Sequence, residues 1–481
     1  MGLESITKFI PEVKEPGKKL EFKEKAKWTL IVLVAFFVLA NIPLFGLSEN
    51  ALARFEFLAV ILATDFGSLI SLGIGPIVTA SIILQLLSGA GILPIDLESE
   101  QGKKTFQSLQ TLLTLFFIIF EAIVFVKMGG LQANPGFSWL LILQLILGGI
   151  AIYYMDQVIT KWGIGSGISL FIAAGIGRGL ITQTLQFIDA QGRNCLMDFS
   201  GTPCSGKLLI LIQSLIQRQT IEFASAFIAI AVTVLIFLAV VWAQSLKIEI
   251  PLSYGRIRGY TIRWPLAFFY ASVIPVIFTA ALIANIQLFG GILSNAAAPC
   301  LTDASACTGM AKFASYFGFL GRFDASGNAI SGLAFWAGST RILELFLRGA
   351  FLPVYILQSI THILLFVSLS TLFAIFWIKT AAGLDSKSQA KKISASGLQI
   401  AGFRQDERVL ESILDRYIMP LTVMGGIAIG LLASVTNLLG ALVSGTGILL
   451  VIMIIYQLYQ TIGQQHPEVI NPAVGKFIGG A

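Results

Sequence analysis

Charge is scarce in this chain. Only 12% of its 481 residues are Asp, Glu, Lys or Arg, and 56% are hydrophobic. Soluble domains average about 25% charged residues, so a soluble globular fold is excluded. Histidine is scarcer still: His362 and His466 are the only two. No Ser-His or paired-Asp arrangement stands out. The sequence contains no GxxxxGK[ST] phosphate loop and no HExxH pair, so it offers no sign of nucleotide-driven or zinc-hydrolase chemistry. Strict apolar–polar alternation, the mark of a membrane β-barrel, is missing as well. These absences leave a non-enzymatic, helical membrane protein.

What is present is a series of apolar runs near the ~20-residue spanning length. Ten can be drawn: 28–46, 68–89, 104–127, 138–160, 163–186, 222–246, 265–291, 357–379, 417–438 and 446–464. An eleventh, Phe55 to Leu62, is too short to span. It suits a half-helix that enters the protein and stops, which requires protein or water around its ends. The expected fold is therefore an all-α polytopic membrane protein. Its ten transmembrane helices form two five-helix halves, 28–186 and 222–464, separated by an external loop at 187–221. An odd number of spans per half makes the halves inverted. Pro76 in the second run and Pro275 in the seventh suggest matching interruptions, the pattern of a repeat built around a central pathway.

Lys and Arg set the orientation. With the N-terminus in the cytosol, most of the 32 fall on the inside, as the positive-inside rule requires. The leader, 1–27, holds seven lysines and five glutamates and precedes the first apolar run at Trp28. It is too long and too mixed for a signal peptide. Ile6, Phe9 and Ile10 suggest a short amphipathic helix on the membrane surface. The tail, 465–481, is also placed inside. Two polar segments, 247–264 and 379–416, face the cytosol and are long enough to dock a partner. A second long external loop covers 292–356.

On this topology all four cysteines, Cys195, Cys204, Cys300 and Cys307, are external. The spacing allows two local bridges, Cys195–Cys204 and Cys300–Cys307, in an oxidising exterior; four free thiols remain the other reading.

Charges inside the runs are few. Asp156 and Arg178 sit near run ends, within reach of the interface. Glu121 is deeper, and an intramembrane carboxylate is a functional candidate. One Glu is thin support for an ion-coupled transporter. In SLGIGPIVTASIILQLL (71–87), Ile74 and Val78 are one helical turn apart. Ile168 and Ile172 repeat that spacing after Gly163-Ile164-Gly165-Ser166-Gly167. Such pairs serve helix packing or form an aliphatic ring that closes a pore by dewetting.

LGIGPIVTASIILQLL, KWGIGSGISLFIAAG, IEIPLSYGRIRG, VIPVIFTAALIANIQLFG, GLDSKSQAKKI, RYIMPLTVMGG and LLGALVSGTGILL together resemble the SecY family in its archaeal form, from about Phe9 to Leu458. The resemblance implies a protein-conducting channel whose ten spans open like a clamshell. It implies a pore ring of Ile74, Val78, Ile168, Ile172, Ile277 and Leu450. It implies a plug helix carrying Glu56, Phe57, Leu58, Ile61, Leu62, Asp65 and Phe66. The second and seventh spans become a lateral gate bridged by Thr79, Gln85 and Asn285. Arg256, Arg258 and Arg404 become ribosome contacts, since arginine pairs phosphate oxygens bidentately. The implied partners are the ribosome, small membrane subunits of the SecE (gamma) and Sec-beta types, nascent secretory and membrane polypeptides with signal sequences, and membrane lipid. No cofactor is implied. The implied location is the cell membrane, multi-pass, with both termini cytosolic.

Overall fold

The computed structural model describes residues 11–18, 20–93, 95, 99–188, 194–195, 204–254, 261–271, 273–302, 307, 309–324, 327–380, 384–396, 398–400 and 406–465. Ile6, Phe9, Ile10 and the tail beyond 465 lie outside them.

The first half runs α1 (Phe22–Ala40), β1 (Leu47–Asn50), a 3-10 turn at Ala51–Phe55, α2 (Glu56–Ile61), α3 (Gly75–Gly89), α4 (Glu100–Lys127), β2 (Leu131–Ala133), α5 (Ser138–Trp162) and α6 (Gly167–Leu185). The connection between the halves contains α7 (Lys207–Gln217). The second half runs α8 (Thr220–Ser245), β3 (Lys247–Tyr254), β4 (Thr261–Ala267), α9 (Ile274–Thr302), α10 (Gly309–Ser315), β5 (Arg322–Phe323), β6 (Ala329–Ser331), α11 (Leu333–Ala337), α12 (Ile342–Leu347), α13 (Val354–Thr380), α14 (Ser386–Ala395), β7 (Leu398–Ile400), α15 (Glu407–Leu439) and α16 (Gly445–Gln465).

Among the described residues, eight helices are long and apolar enough to cross a membrane: α4, α5, α6, α8, α9, α13, α15 and α16. Helix α1 is 19 residues long, with Lys and Glu in its first turns. Helix α3 is 15 residues long and uncharged. With these two, each of the ten apolar runs has its helix. One apolar cluster joins helices of both halves. Outward faces such as Leu235, Leu238 and Trp242 of α8 stay exposed, as side chains surrounded by lipid do.

The second and seventh runs differ from the sequence expectation. The second is helical only from Gly75; residues 68–74 form turns. Gly73 has φ +56, and a Cβ there would collide with Leu62 O and lie 2.8 Å from Thr64 Cβ. Pro76 follows in the first helical turn, where its missing N–H costs nothing and its fixed φ suits the helix. The seventh run is helical from Ile274, with Pro275 as the second residue, and its opening residues lie in β4. Both prolines therefore start helices and interrupt neither. Apolar composition is the same on either side of each boundary, so hydropathy does not mark it.

The two long polar segments also hold regular structure. β3 pairs antiparallel with β4 from Lys247↔Ala267 to Ser253↔Thr261, and with β7 from Leu252↔Ile400 to Tyr254↔Leu398. The order is β4-β3-β7, so segments 247–264 and 379–416 share one sheet. A second apolar cluster, including Ile250, Leu266, Ile393 and Leu414, seats this sheet and α14 on the end of α15.

Candidate functional site

The segment between α1 and α3 folds into the middle of the molecule. Phe55, Leu58, Ile61 and Leu62 are buried in the main cluster, and Phe66 packs against it. For Glu56 and Phe57 the structure describes the helical backbone alone. The segment is tied down by its own backbone. Ile74 N donates to Leu62 O at 3.0 Å, and Asn50 Nδ2 donates to Phe66 O at 2.8 Å. Thr64 Oγ1 lies 2.8 and 2.7 Å from the carbonyls of Ile70 and Ser71. Asp65 forms an ion pair of 2.6 Å with Arg178 of α6. Arg178 thus turns toward this segment, where the sequence had suggested the interface. The ring of Phe55 lies on Gly291 of α9, where any Cβ would collide with it. Its other side meets Phe323 of the external loop edge-on, with ring centroids 5.8 Å apart.

The six aliphatic residues come from four helices. Ile74 caps α3 and its carbonyl accepts from Val78 N at 3.0 Å, so the two are one turn apart. Ile168 and Ile172 lie on α6, Ile277 on α9 and Leu450 on α16. Ile74, Val78, Ile172, Ile277 and Leu450 are buried; Ile168 packs against the same cluster from a half-buried position. Aliphatic side chains offer no directional bond, so a closure made of them excludes water and ions without selecting a sequence. Asp156 of α5 positions one of the four helices: its Oδ1 accepts from Ile168 N at 2.9 Å. That caps the first turn of α6, where unpaired N–H groups need an acceptor. Sequence reading had Asp156 reaching the interface as well.

The seam between α3 and α9 is polar at one level. Asn285 Nδ2 donates to Thr79 Oγ1 at 2.9 Å, and Thr79 Oγ1 donates to Gly75 O at 2.8 Å. Glu121 of α4 is buried beside this level of the seam, with its Oε2 facing Gly75. Its Oε1 has no partner among the described residues. Gln85 is buried further along α3, and its Oε1 has no partner among the described residues. The sequence singled out Glu121 for its depth alone. Its place beside Gly75 comes from packing α4 on α3, which no local pattern records.

The family model described as SecY matches residues 68–459, and one described as the plug domain of Sec61p matches residues 34–67. The chain belongs to the SecY family.

Relatives within that family cover it end to end. A protein translocase subunit SecY of Methanothermobacter thermautotrophicus is 38% identical over 99% of this chain and 98% of its own. That of Methanocaldococcus jannaschii is 38% identical over 98% of each. Among solved structures, one described as a protein conducting channel aligns with TM-score 0.80 and 36% identity, covering 99% of this chain and 100% of its own. Sec61 in a canine ribosome-channel complex from the endoplasmic reticulum aligns with TM-score 0.77 and 36% identity over the same shares.

Arg256, Arg258 and Arg404 lie outside the described residues. A cavity of about 920 Å³ opens between the plug segment and the long connection from α9 to α13, with Phe55, Gln287, Phe323, Trp336 and Gln358 among its walls. The loop is fastened over α13 by Gln358 Nε2 donating to Phe335 O at 2.8 Å and by His362 Nδ1, 2.7 Å from Ala337 O. Both cysteine pairs are bridged, Cys195–Cys204 with S–S 2.03 Å and Cys300–Cys307 with S–S 2.11 Å.

Proposed function

We propose that the chain is the passive, pore-forming subunit of a protein-conducting channel, held closed at rest. The observation that carries this reading is the plug segment packed into the same apolar cluster as the six aliphatic residues, beside a hydrogen-bonded seam. A polypeptide entering from the cytosol displaces the plug and passes through the ring of Ile74, Val78, Ile168, Ile172, Ile277 and Leu450. Opening the seam breaks the Asn285–Thr79 bond and exposes the pore to lipid. An apolar segment of ~20 residues then leaves sideways, gaining about 0.3–0.6 kcal/mol for each Leu, Ile, Phe or Val.

The chain supplies no driving force, so a partner does. A ribosome seated on the β4-β3-β7 sheet and α14, contacted through Arg256, Arg258 and Arg404, fits the basic cytosolic face. The canine relative found in a ribosome-channel complex supports this partner. Small membrane subunits of the SecE and Sec-beta types would clamp the two halves. The termini lie in the cytosol and the chain sits in the cell membrane.

Site-specific photocrosslinking tests the reading. A probe at Ile168 is presented with a ribosome-stalled secretory chain in native membrane. The expected result is a crosslink that depends on the signal sequence. Ribosome crosslinks at Arg404 without any at Ile168 would move the pore path elsewhere, and neither crosslink would overturn the channel reading.

A further inference from the structure

We propose that α7, in the external connection between the two halves, lies in the outer-leaflet interface with its apolar face in lipid. The helix is 11 residues long, about 16 Å, far too short to span. Its polarity is inverted. Leu208, Ile212, Leu215 and Ile216 are exposed, the last two 65% and 66%, while Gln213 and Ser214 are buried. A helix on a water-facing surface carries its polar residues outward and its apolar stripe inward. Here the polar side chains are held inside: Gln213 Oε1 accepts from Cys204 N at 3.0 Å. The apolar stripe faces away from the protein, as on an interfacial helix.

Its anchors fix the depth. Gly206 N donates to Gln186 O at 2.9 Å, which ties its start to the outer end of α6. Its end turns at once into α8 through Arg218, in the left-handed conformation at φ +56. Lys207 shares a narrow groove with Ser225 and Ile228 of α8, so α7 runs back along the first turns of that helix. At 26 residues, α8 is about 39 Å long. It exceeds the ~30 Å hydrocarbon core, so its first turns reach headgroup depth. The stripe is continuous with surfaces that already face lipid: Leu185 at the end of α6 and Ile221 at the start of α8 are each 53% exposed. Arg218 is exposed at the rim, with its guanidinium free to extend to phosphate while its stem stays apolar. The Cys195–Cys204 bridge adds a covalent tie three residues before α7 begins.

The test uses nitroxide labels on the full chain in liposomes. All four native cysteines are bridged, so single variants Leu215→Cys, Ile216→Cys and Gln219→Cys take the label alone. Collision rates with oxygen, which concentrates in lipid, and with a water-soluble nickel chelate are compared. The expected result is an oxygen-to-nickel ratio severalfold higher at 215 and 216 than at 219. Equal ratios at all three would place the face in water and overturn the proposal. Low collision with both reagents at 215 and 216 would mean that protein, such as a small membrane subunit or a second copy, covers the face; that also overturns it. Leu208→Cys, at the other end of the stripe, repeats the measurement if either variant fails to reconstitute.

Discussion

Arg178 of α6 holds Asp65 of the plug segment through an ion pair of 2.6 Å. The two residues are 113 positions apart, and the pair is the one ionic tie from the plug to a spanning helix among the described residues. Both side chains are partly exposed, 47% and 39%, so water screens them and the pair contributes about 0–1 kcal/mol. Asp65→Asn is expected to raise resting ion leak in planar bilayers no more than about fivefold, with the difference from wild type shrinking at high salt. Exchanging the charges, Asp65→Arg with Arg178→Asp, should recover most of the loss. If the two single effects simply add in the exchanged variant, the pair does not hold the plug.

Asn285 and Thr79 are the corresponding tie across the seam. A neutral hydrogen bond of this kind contributes about 0.5–1.5 kcal/mol. Asn285→Ala removes it, and Thr79 keeps its bond to Gly75 O, so no new orphan donor is created on α3. The closed seam is expected to weaken by about 1 kcal/mol, and weakly hydrophobic signal sequences should then be translocated more efficiently. The measurement is translocation of a graded series of signals by reconstituted channel. A variant that demands more hydrophobic signals than wild type would contradict this account.

Gly73 and Gly177 give opposite signs for the same substitution. Gly73 combines a left-handed φ with a Cβ position that collides with Leu62 O. Gly73→Ala therefore strains the joint between plug and α3 by about 1–3 kcal/mol. Gly177 lies inside α6, with open space where a Cβ would go, so Gly177→Ala should stabilise that helix by up to about 1 kcal/mol. Thermal denaturation in detergent reads both. Resting leak should rise for the first variant and stay unchanged for the second. Equal behaviour of the two would mean that the turn at Gly73 does not set the plug.

Much of this architecture was legible in the sequence because lipid imposes it: a run such as 222–246, whose sole charge is Glu222 at its first position, has few folded states open to it besides a spanning helix. Helix starts were less legible. Gly73 and Pro76 read as a weak point inside a span, when they mark its beginning, because hydropathy weighs turn and helix residues alike. Contacts between distant segments left no trace at all. Asp156 capping α6 and Arg178 meeting Asp65 depend on which helices become neighbours. The Lys207–Gln217 helix had a signal that was passed over: LLILI between polar residues is too short to span yet too apolar for a solvated loop.

Tyr270 links the channel body to the cytosolic face and gives a test in pH. Its hydroxyl donates to Leu384 O at 2.7 Å, one residue before Asp385, which caps α14 by accepting from Ser388 N at 3.0 Å. Burial, with the Asp385 carboxylate adding to it, pushes the Tyr270 hydroxyl from 10.0 up to about 12. The folded state thus binds this proton more tightly than the unfolded chain. The stabilising contribution is fully present below pH 10 and is lost as pH rises through 12. Ionisation also removes the donor and sets a phenolate beside a carboxylate, so α14 should loosen from its seat on α15 in that window. A spin label at Lys391→Cys reports this as increased mobility between pH 10 and 12. Tyr270→Phe loses about 1 kcal/mol of hydrogen bonding at every pH and should show no further change across the window. A flat wild-type profile, or a Phe variant that loosens over the same range, would remove Tyr270 from this role.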